Sequence, residues 1–310
     1  MNKKNLIIGS GVLAAYLSFE LLKNREKVVV TSRSKKKNYK NFQYLNIQKR
    51  IRFEKLNVKD KIGIENIIKT YEPDKIFYFA GQSSLTKSIT TKKDTYESHF
   101  IGTKNFLDIL KKNNLKCKFF KANSGYIFKS EDGKIHLKSE FSNNKNTYIQ
   151  AQQKTFKIIN EYRKFNLNLF NLVFLQIESP LRPNDFFIKK VCLGAKLKKK
   201  IKVGNIKTYR DYSWITEVVK AIVLTSTLRS NNFIISAGKK LSGEEILKTS
   251  YKLNKLNYKK YYEINKKLIR KNETKTLVGS NKHNRYLKKK FGFEFKIFKN
   301  ELINKMYKKS

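Results

Sequence analysis

Cysteine is scarce in this 310-residue chain: Cys117 and Cys192 are its only two, and they lack metal-ligand spacing. That excludes a disulfide framework and a cysteine-built metal centre, and we expect no metal site and a reducing, cytoplasmic setting. Proline is limited to Pro73, Pro180 and Pro183, so no proline-rich linker divides the chain. No apolar run approaches the ~18 residues of a membrane span, so no membrane segment is expected. Acidic residues are few, 24 against 69 basic ones, which gives a formal net charge of +45. Arginine is scarce within that excess, with 10 Arg among 59 Lys, and the lysines are spread through every segment beside 31 Asn. Base edges and phosphate forks favour Arg. The charge therefore reads as a solvated surface that favours anionic ligands, and nucleic acid is not the expected partner. The cluster Lys196 to Lys202 is the one dense local run.

What is present starts at residue 5. Asn5 to Ile8 is a short apolar run, Gly9-Ser10-Gly11-Val12-Leu13-Ala14 follows, and an apolar pattern of helical period continues to Leu22. This is a strand, a glycine turn and a helix. Gly9 lets the chain turn, Gly11 lets backbone approach a pyrophosphate, and Ala14 keeps helix close to strand. The phosphates would sit on the unpaired N–H groups of the helix N-terminus. A secretory signal is the rival reading of the same stretch. Glu20 inside the helical part, and a second buried strand at Lys27 to Arg33, argue for a βαβ unit instead.

The alternation continues. Arg52 to Val58 reads as a third strand, Ile62 to Thr70 as a helix, and Lys75 to Ala80 as a buried strand closing on Gly81-Gln82-Ser83-Ser84. Residues 91 to 113 form a long helix, Cys117 to Ala122 the fifth strand, Thr147 to Phe165 a helix and Leu167 to Ile177 another strand. The fold class is α/β, a Rossmann-type doubly wound parallel sheet with a smaller C-terminal substrate lobe. Two prolines within Glu178 to Pro183 mark the crossing. The expected division is a dinucleotide-binding domain at 1–177, with a returning strand at about 205–238, and a lobe made of 178–204 and 239–310. Ser242-x-x-Glu245 is a capping box.

These landmarks resemble the extended short-chain dehydrogenase/reductases that act on nucleotide sugars, and within them the GDP-mannose 4,6-dehydratase family. The segments that carry the resemblance are Ala80-Gly-Gln-Ser-Ser84, Glu178-Ser-Pro-x-Arg182-x-x-x-Phe186, Gly204-Asn-x-x-x-x-Arg210-Asp211, Phe233 to Gly238 and Arg270-x-x-Glu273 with Gly279. Five ordered segments are far more specific than one. The resemblance implies a nucleotide-sugar enzyme, with GDP-mannose as substrate, acting by transient C4 oxidation, water elimination and hydride return. A related epimerase or ketoreductase, or a degenerate homologue that only binds nucleotide, are the alternatives. The cofactor contacts implied are Gly9, Ser10, Gly11, Val12, Leu13, Arg33, Asn57, Val58, Ala80, Gly81, Gln82 and Tyr148. An NAD-preferring second strand ends in Asp or Glu; here Thr31-Ser32-Arg33-Ser34 stands instead, and Arg33 suits a 2′-phosphate, so NADP is expected over NAD. Gln176, Glu178, Arg182, Arg210, Arg270 and Glu273 are the implied substrate contacts. A homodimer or higher homo-oligomer is expected through the 91–113 and 147–165 helices, with the family's longer arm altered over Lys35 to Ile47.

The chemistry departs from that pattern. The superfamily uses Tyr-x-x-x-Lys on one helix face, where tyrosinate takes the sugar hydroxyl proton and the ammonium stabilises it. Tyr71/Lys75, Tyr251/Lys255, Tyr262/Lys266 and Tyr286/Lys290 all fit the spacing, roughly the chance expectation, so context must select. Context selects Tyr148, and position 152 is Gln. Lys154 and Lys157 are rotated away at ~100° per residue. Without a cation a tyrosine of pKa about 10 is ionised in only ~1 molecule per thousand at pH 7. Ser124 stands where the family has a catalytic Thr, and Tyr126 where the dehydratase has a proton-moving Glu. The expected catalytic residues are therefore Ser124, Tyr126 and Tyr148.

Overall fold

The computed structural model describes residues 3–34, 39–269 and 273–310. Its strands, in chain order, are β1 (Lys4–Ile8), β2 (Lys27–Ser32), β3 (Arg52–Lys55), β4 (Lys75–Tyr78), β5 (Lys118–Ser124), β6 (Lys134–Ile135), β7 (Asn168–Phe174), β8 (Gln176–Glu178), β9 (Ile201–Val203), β10 (Tyr209–Trp214), β11 (Asn232–Ile235), β12 (Lys240–Ser242), β13 (Tyr262–Ile264) and β14 (Thr276–Gly279). The chain forms two compact units.

The first unit holds residues 1–127, 140–173 and 222–233. Its sheet has seven strands in the order β11-β7-β5-β4-β1-β2-β3. β1 runs parallel to β2 and β4, β2 to β3, and β4 to β5. Because successive strands step outward from β1 in both directions, the order reverses between β1 and β4, where a doubly wound sheet opens a ligand crevice at its carboxyl edge. Beyond Asn5 and Lys75, β1 and β4 are apolar and buried, as expected of central strands in a parallel sheet. Leu6, Ile8, Ile76, Tyr78, Phe106 and Phe119 pack in one core with Ile64 and Ile68 of the Lys61–Tyr71 helix.

The second unit holds residues 128–139, 174–221 and 234–310. In its larger sheet β10 pairs antiparallel with β12 and parallel with β14 and β8, while β14 pairs with β6. Its core gathers Val191, Cys192, Trp214, Ile246, Leu247, Tyr251, Ile303 and Met306. The expected lobe of 178–204 and 239–310 lies in this unit, which also takes 128–139, 174–177, 205–221 and 234–238. Physically, β10 bonds to β8, β12 and β14, so only β11 of the expected returning stretch joins the seven-stranded sheet. The capping box forms as read: the Ser242 hydroxyl accepts from the Glu245 N–H at 3.1 Å, and the Glu245 carboxylate accepts from the Ser242 N–H at 2.7 Å. Among the described residues no helix is long and apolar enough to cross a membrane.

Candidate functional site

The glycine turn comes first in the first unit. Gly9 adopts φ +103°, and a Cβ there would meet the Ala80 backbone nitrogen at 3.0 Å. Only glycine suits this position, since both the backbone region and the neighbouring strand end reject a side chain. Gly11 caps the Val12–Lys23 helix without a side-chain hydrogen bond, and a Cβ on it would meet nothing within 4 Å. Gly11 therefore stands beside open space at the helix start and offers no side chain to cap the first N–H groups, the arrangement that receives a phosphate. Val12 and Leu13 are half-buried beside it, and Ser10 is buried. The residues present thus fit a dinucleotide.

Among the other cofactor candidates, Gly81, at φ +113°, lies so close to the His99 ring that a Cβ would overlap it. Gln82 folds back on its own loop, its Oε1 accepting from the Ser84 N–H at 2.6 Å. Asn57 is exposed and accepts from the Lys59 N–H, whereas Val58 is buried in the core. Arg33, at the end of β2, is exposed and paired with Asp94 at 2.5 Å.

Tyr148 sits in the first turn of the Thr147–Tyr162 helix. Asn146 caps that helix by accepting from the Tyr148 N–H at 2.9 Å, while its own amide donates to the Leu85 carbonyl at 3.1 Å. The cap fixes the start of the helix, and with it the side on which Tyr148 and Gln152 both lie, one turn apart. Both are buried. The neighbouring lysines are committed elsewhere: Lys154 donates to the Tyr96 hydroxyl at 3.2 Å, and Lys157 lies 5.1 Å from the Phe141 ring centroid. Ser124, at the end of β5, is buried and accepts from the Tyr126 N–H at 3.3 Å. Tyr126 is half-buried in the turn that follows.

Two residues that sequence reasoning passed over belong to this group. His99 lies in a π-helical turn, Glu97–Ile101, just before the Gly102–Lys112 helix, and such turns occur often at functional positions. Its ring meets the Tyr148 ring edge-on, with centroids 5.3 Å apart. Burial, then the charge of Lys121, pushes its pKa down to about 3, so the imidazole is neutral. The second residue is Lys121 itself, which is 1% exposed. Its signal was the period of β5, which puts Lys121 on the same face as Phe119 and Asn123 in a central strand. For His99 the only sequence signal was rarity, as one of three histidines.

In the second unit, Gln176 and Glu178 lie on β8, opposite Tyr212 and Trp214 of β10. Glu178 is 1% exposed, and its Oε2 has no hydrogen-bond partner among the described residues. Burial raises its pKa to about 7 against the opposing charges of Arg182 and Lys189. The Lys189 ammonium donates to the carbonyls of Pro180 and Arg182, which holds the proline turn in place. Arg182 stacks on Phe186 with its guanidinium carbon 3.6 Å from the ring centroid. Arg210 and Glu273 are each other's partner, 2.9 Å apart and largely buried. Arg270 lies outside the described residues, as does the stretch 35–38 of the expected arm. Asp211, beside Arg210, is fully buried and accepts from the N–H groups of Gly238 and Gly279 at 2.9 and 3.1 Å. It is a structural clasp between the ends of two chain segments.

A cavity of about 580 Å³, lined by residues that include Lys4, Asn5, Arg25, Arg52 and Tyr71, opens at the amino-terminal edge of β1 and β2. None of the candidate site residues lines it. The carboxyl edge, where the glycine turn lies, is the better ligand site on topological grounds.

The seven-stranded sheet and the glycine turn define a Rossmann-type α/β protein. A family profile described as GDP-mannose 4,6 dehydratase matches residues 6–306, and the chain belongs to that family. It is 24% identical over 257 residues to GDP-mannose 4,6 dehydratase 1 of Arabidopsis thaliana, covering 77% of this chain and 70% of that one. It is 26% identical over 241 residues to dTDP-glucose 4,6-dehydratase of Haemophilus influenzae, covering 68% of each. Among solved structures, the UDP-glucose 4-epimerase of Thermus thermophilus in complex with NAD superposes with a TM-score of 0.84 at 16% identity, over 99% of this chain and 98% of that one. The dTDP-glucose 4,6-dehydratase of Bacillus anthracis in complex with NAD gives 0.83 at 17% identity, over 99% and 96%. At these identities the structures speak for the fold.

Proposed function

We propose that this protein is a nucleotide-sugar enzyme of the GDP-mannose 4,6-dehydratase type that works with NADP. The observation that carries the reading is the open, uncapped helix start at Gly11, at the switch point of a sheet whose chain matches that family from end to end. The bound dinucleotide would supply a reversible hydride acceptor. The chain's own residues would do the rest. The amides at the start of the Val12–Lys23 helix hold the pyrophosphate, and Arg33 takes a 2′-phosphate by releasing Asp94. Tyr148 holds and moves the proton of the sugar C4 hydroxyl, Ser124 supports that hydroxyl, and Tyr126 relays the proton lost from C5 to the hydroxyl that leaves C6, so that the two depart as water. Arg210, Arg270, Arg182, Gln176, Glu178 and Glu273 receive the nucleotide sugar. A homodimer through the 91–113 and 147–165 helices completes the proposal.

The second reading is a homologue that binds a nucleotide and does no redox chemistry, and Gln152 beside Tyr148 is the residue that favours it. Incubation of the purified protein with GDP-mannose and NADP separates the two. The first reading expects a 4-keto-6-deoxy nucleotide sugar with no net NADPH. Binding of nucleotide without turnover over a long incubation favours the second, and net oxidation of NADPH added in a parallel incubation points to a ketoreductase.

A further inference from the structure

Strand β5 carries a buried lysine. The ammonium of Lys121 donates to the Ala122 carbonyl at 2.6 Å and stands 5.2 Å from the Tyr78 ring centroid. The Tyr78 hydroxyl in turn donates to the Ser98 carbonyl at 2.5 Å, one residue before His99. The ammonium therefore lies by the π turn that carries His99, and its charge acts on that imidazole. Among the described residues no carboxylate acts on it, and burial alone pulls its pKa down to about 7. A buried ammonium without an anion is costly, and a methionine of similar size would not carry that cost.

Tyr148 and Gln152 also contact His99. The Tyr148 ring meets it edge-on, and the Gln152 amide lies 3.4 Å from its Nδ1. Position 152 bears a neutral amide, and position 121 an amine that burial leaves partly protonated near pH 7; both bear on a single imidazole. We propose that Lys121 supplies from β5 the positive charge that position 152 does not, so that the Tyr148 phenol and the nicotinamide end of the site lie in the field of one buried cation. This rests on the dinucleotide reading given above. His99, held neutral, and Gln152, a neutral amide, are positioning residues that keep that cation single. A second ammonium at 152 would be repelled by the first.

Lys121→Met, Gln152→Lys and the double variant test this in full-length protein. Thermal midpoints are measured first, without ligand. Lys121→Met raises the midpoint. Gln152→Lys lowers it strongly in the parent protein and weakly in the Lys121→Met background. Dissociation constants for oxidised and reduced NADP are measured next, because a nearby cation disfavours the positively charged oxidised nicotinamide. Their ratio, oxidised over reduced, falls about tenfold in Lys121→Met and recovers when Gln152→Lys is added. A purely structural lysine does not move that ratio. Additive midpoints overturn the inference whatever the protein binds, and so does an unchanged ratio in a Lys121→Met protein that still binds both forms. Coupled midpoints in a protein that binds neither form support the charge exchange and count against the dinucleotide reading instead.

Discussion

Gln152 presents its amide nitrogen to Nδ1 of His99 at 3.4 Å, while Nε2 of the same ring lies 2.9 Å from the Gln82 carbonyl. A carbonyl only accepts, so Nε2 carries the proton, Nδ1 is the acceptor, and Gln152 must turn its NH2 toward the ring. Its Oε1 is left buried and without a partner among the described residues. An orphaned acceptor costs about 1–3 kcal/mol, which a sugar hydroxyl donor would recover on binding.

The glycine turn separates binding from stability. Gly11→Asp places a good helix cap where a Cβ meets nothing within 4 Å, so the thermal midpoint holds or rises. The new carboxylate repels a pyrophosphate, and dinucleotide affinity falls by about 30-fold or more, as read by NADPH fluorescence titration. Gly9→Ala forces a side chain into φ +103° against Ala80 and costs about 1–3 kcal/mol of stability by urea denaturation.

On the NADP reading proposed above, cofactor choice turns on Arg33 and Asp94. The pair is exposed, so breaking it changes stability by less than about 1 kcal/mol. Asp94→Asn frees the guanidinium and shifts preference toward NADP by about 3- to 10-fold, and Arg33→Ala removes the preference; competitive binding of NADP and NAD reads both.

Two buried groups give opposite pH slopes. The folded-state pKa of Glu178 is raised from 4.5 to about 7. Between those values the folded state holds a proton that the unfolded state has lost, and stability falls as pH rises. The pKa of His99 is lowered from 6.5 to about 3. Its contribution is fully present above pH 6.5 and is lost as pH falls toward 3, because the unfolded state then binds the proton. Glu178→Gln therefore raises stability at pH 7 by a few kcal/mol, on the order of 1.4 kcal/mol for each pH unit separating the folded and unfolded values, and removes its slope. His99→Gln flattens the acid limb. Urea midpoints across pH for the parent and both variants check this.

Arg210 and Glu273 form a largely buried pair. Glu273→Ala leaves the guanidinium buried and unpaired at a cost of about 3–5 kcal/mol. Adding Arg210→Met recovers much of it, a non-additivity that a double-mutant cycle in urea reads directly. On the proposed function Arg210→Met also weakens GDP binding, as read by isothermal titration.

Residues 5 to 22 showed their strand, turn and helix in the sequence because all the determinants are local: an apolar run, two glycines and a helical period. Ser242 and Glu245 were legible for the same reason, since a capping box spans four residues. That Gln152 stands one helical turn after Tyr148 was legible by counting along one helix. What stayed hidden depends on distant partners. Lys134–Ile135 becomes a strand only by pairing with β14, and nothing local announces it. Arg210 was expected as a substrate contact, and its pairing with Glu273, far along the chain, was not legible because only the fold brings the two together. Lys121 was one lysine among 59, and only its burial in a central strand sets it apart.

The most direct measurement follows the hydrogen on C4 of the sugar. GDP-mannose deuterated at C4 is incubated with the protein and NADP, and the product is read by mass spectrometry and NMR. Loss of one water with deuterium on C6 is the predicted result. Deuterium that stays on C4, or that accumulates in free NADPH, contradicts the dehydratase reading.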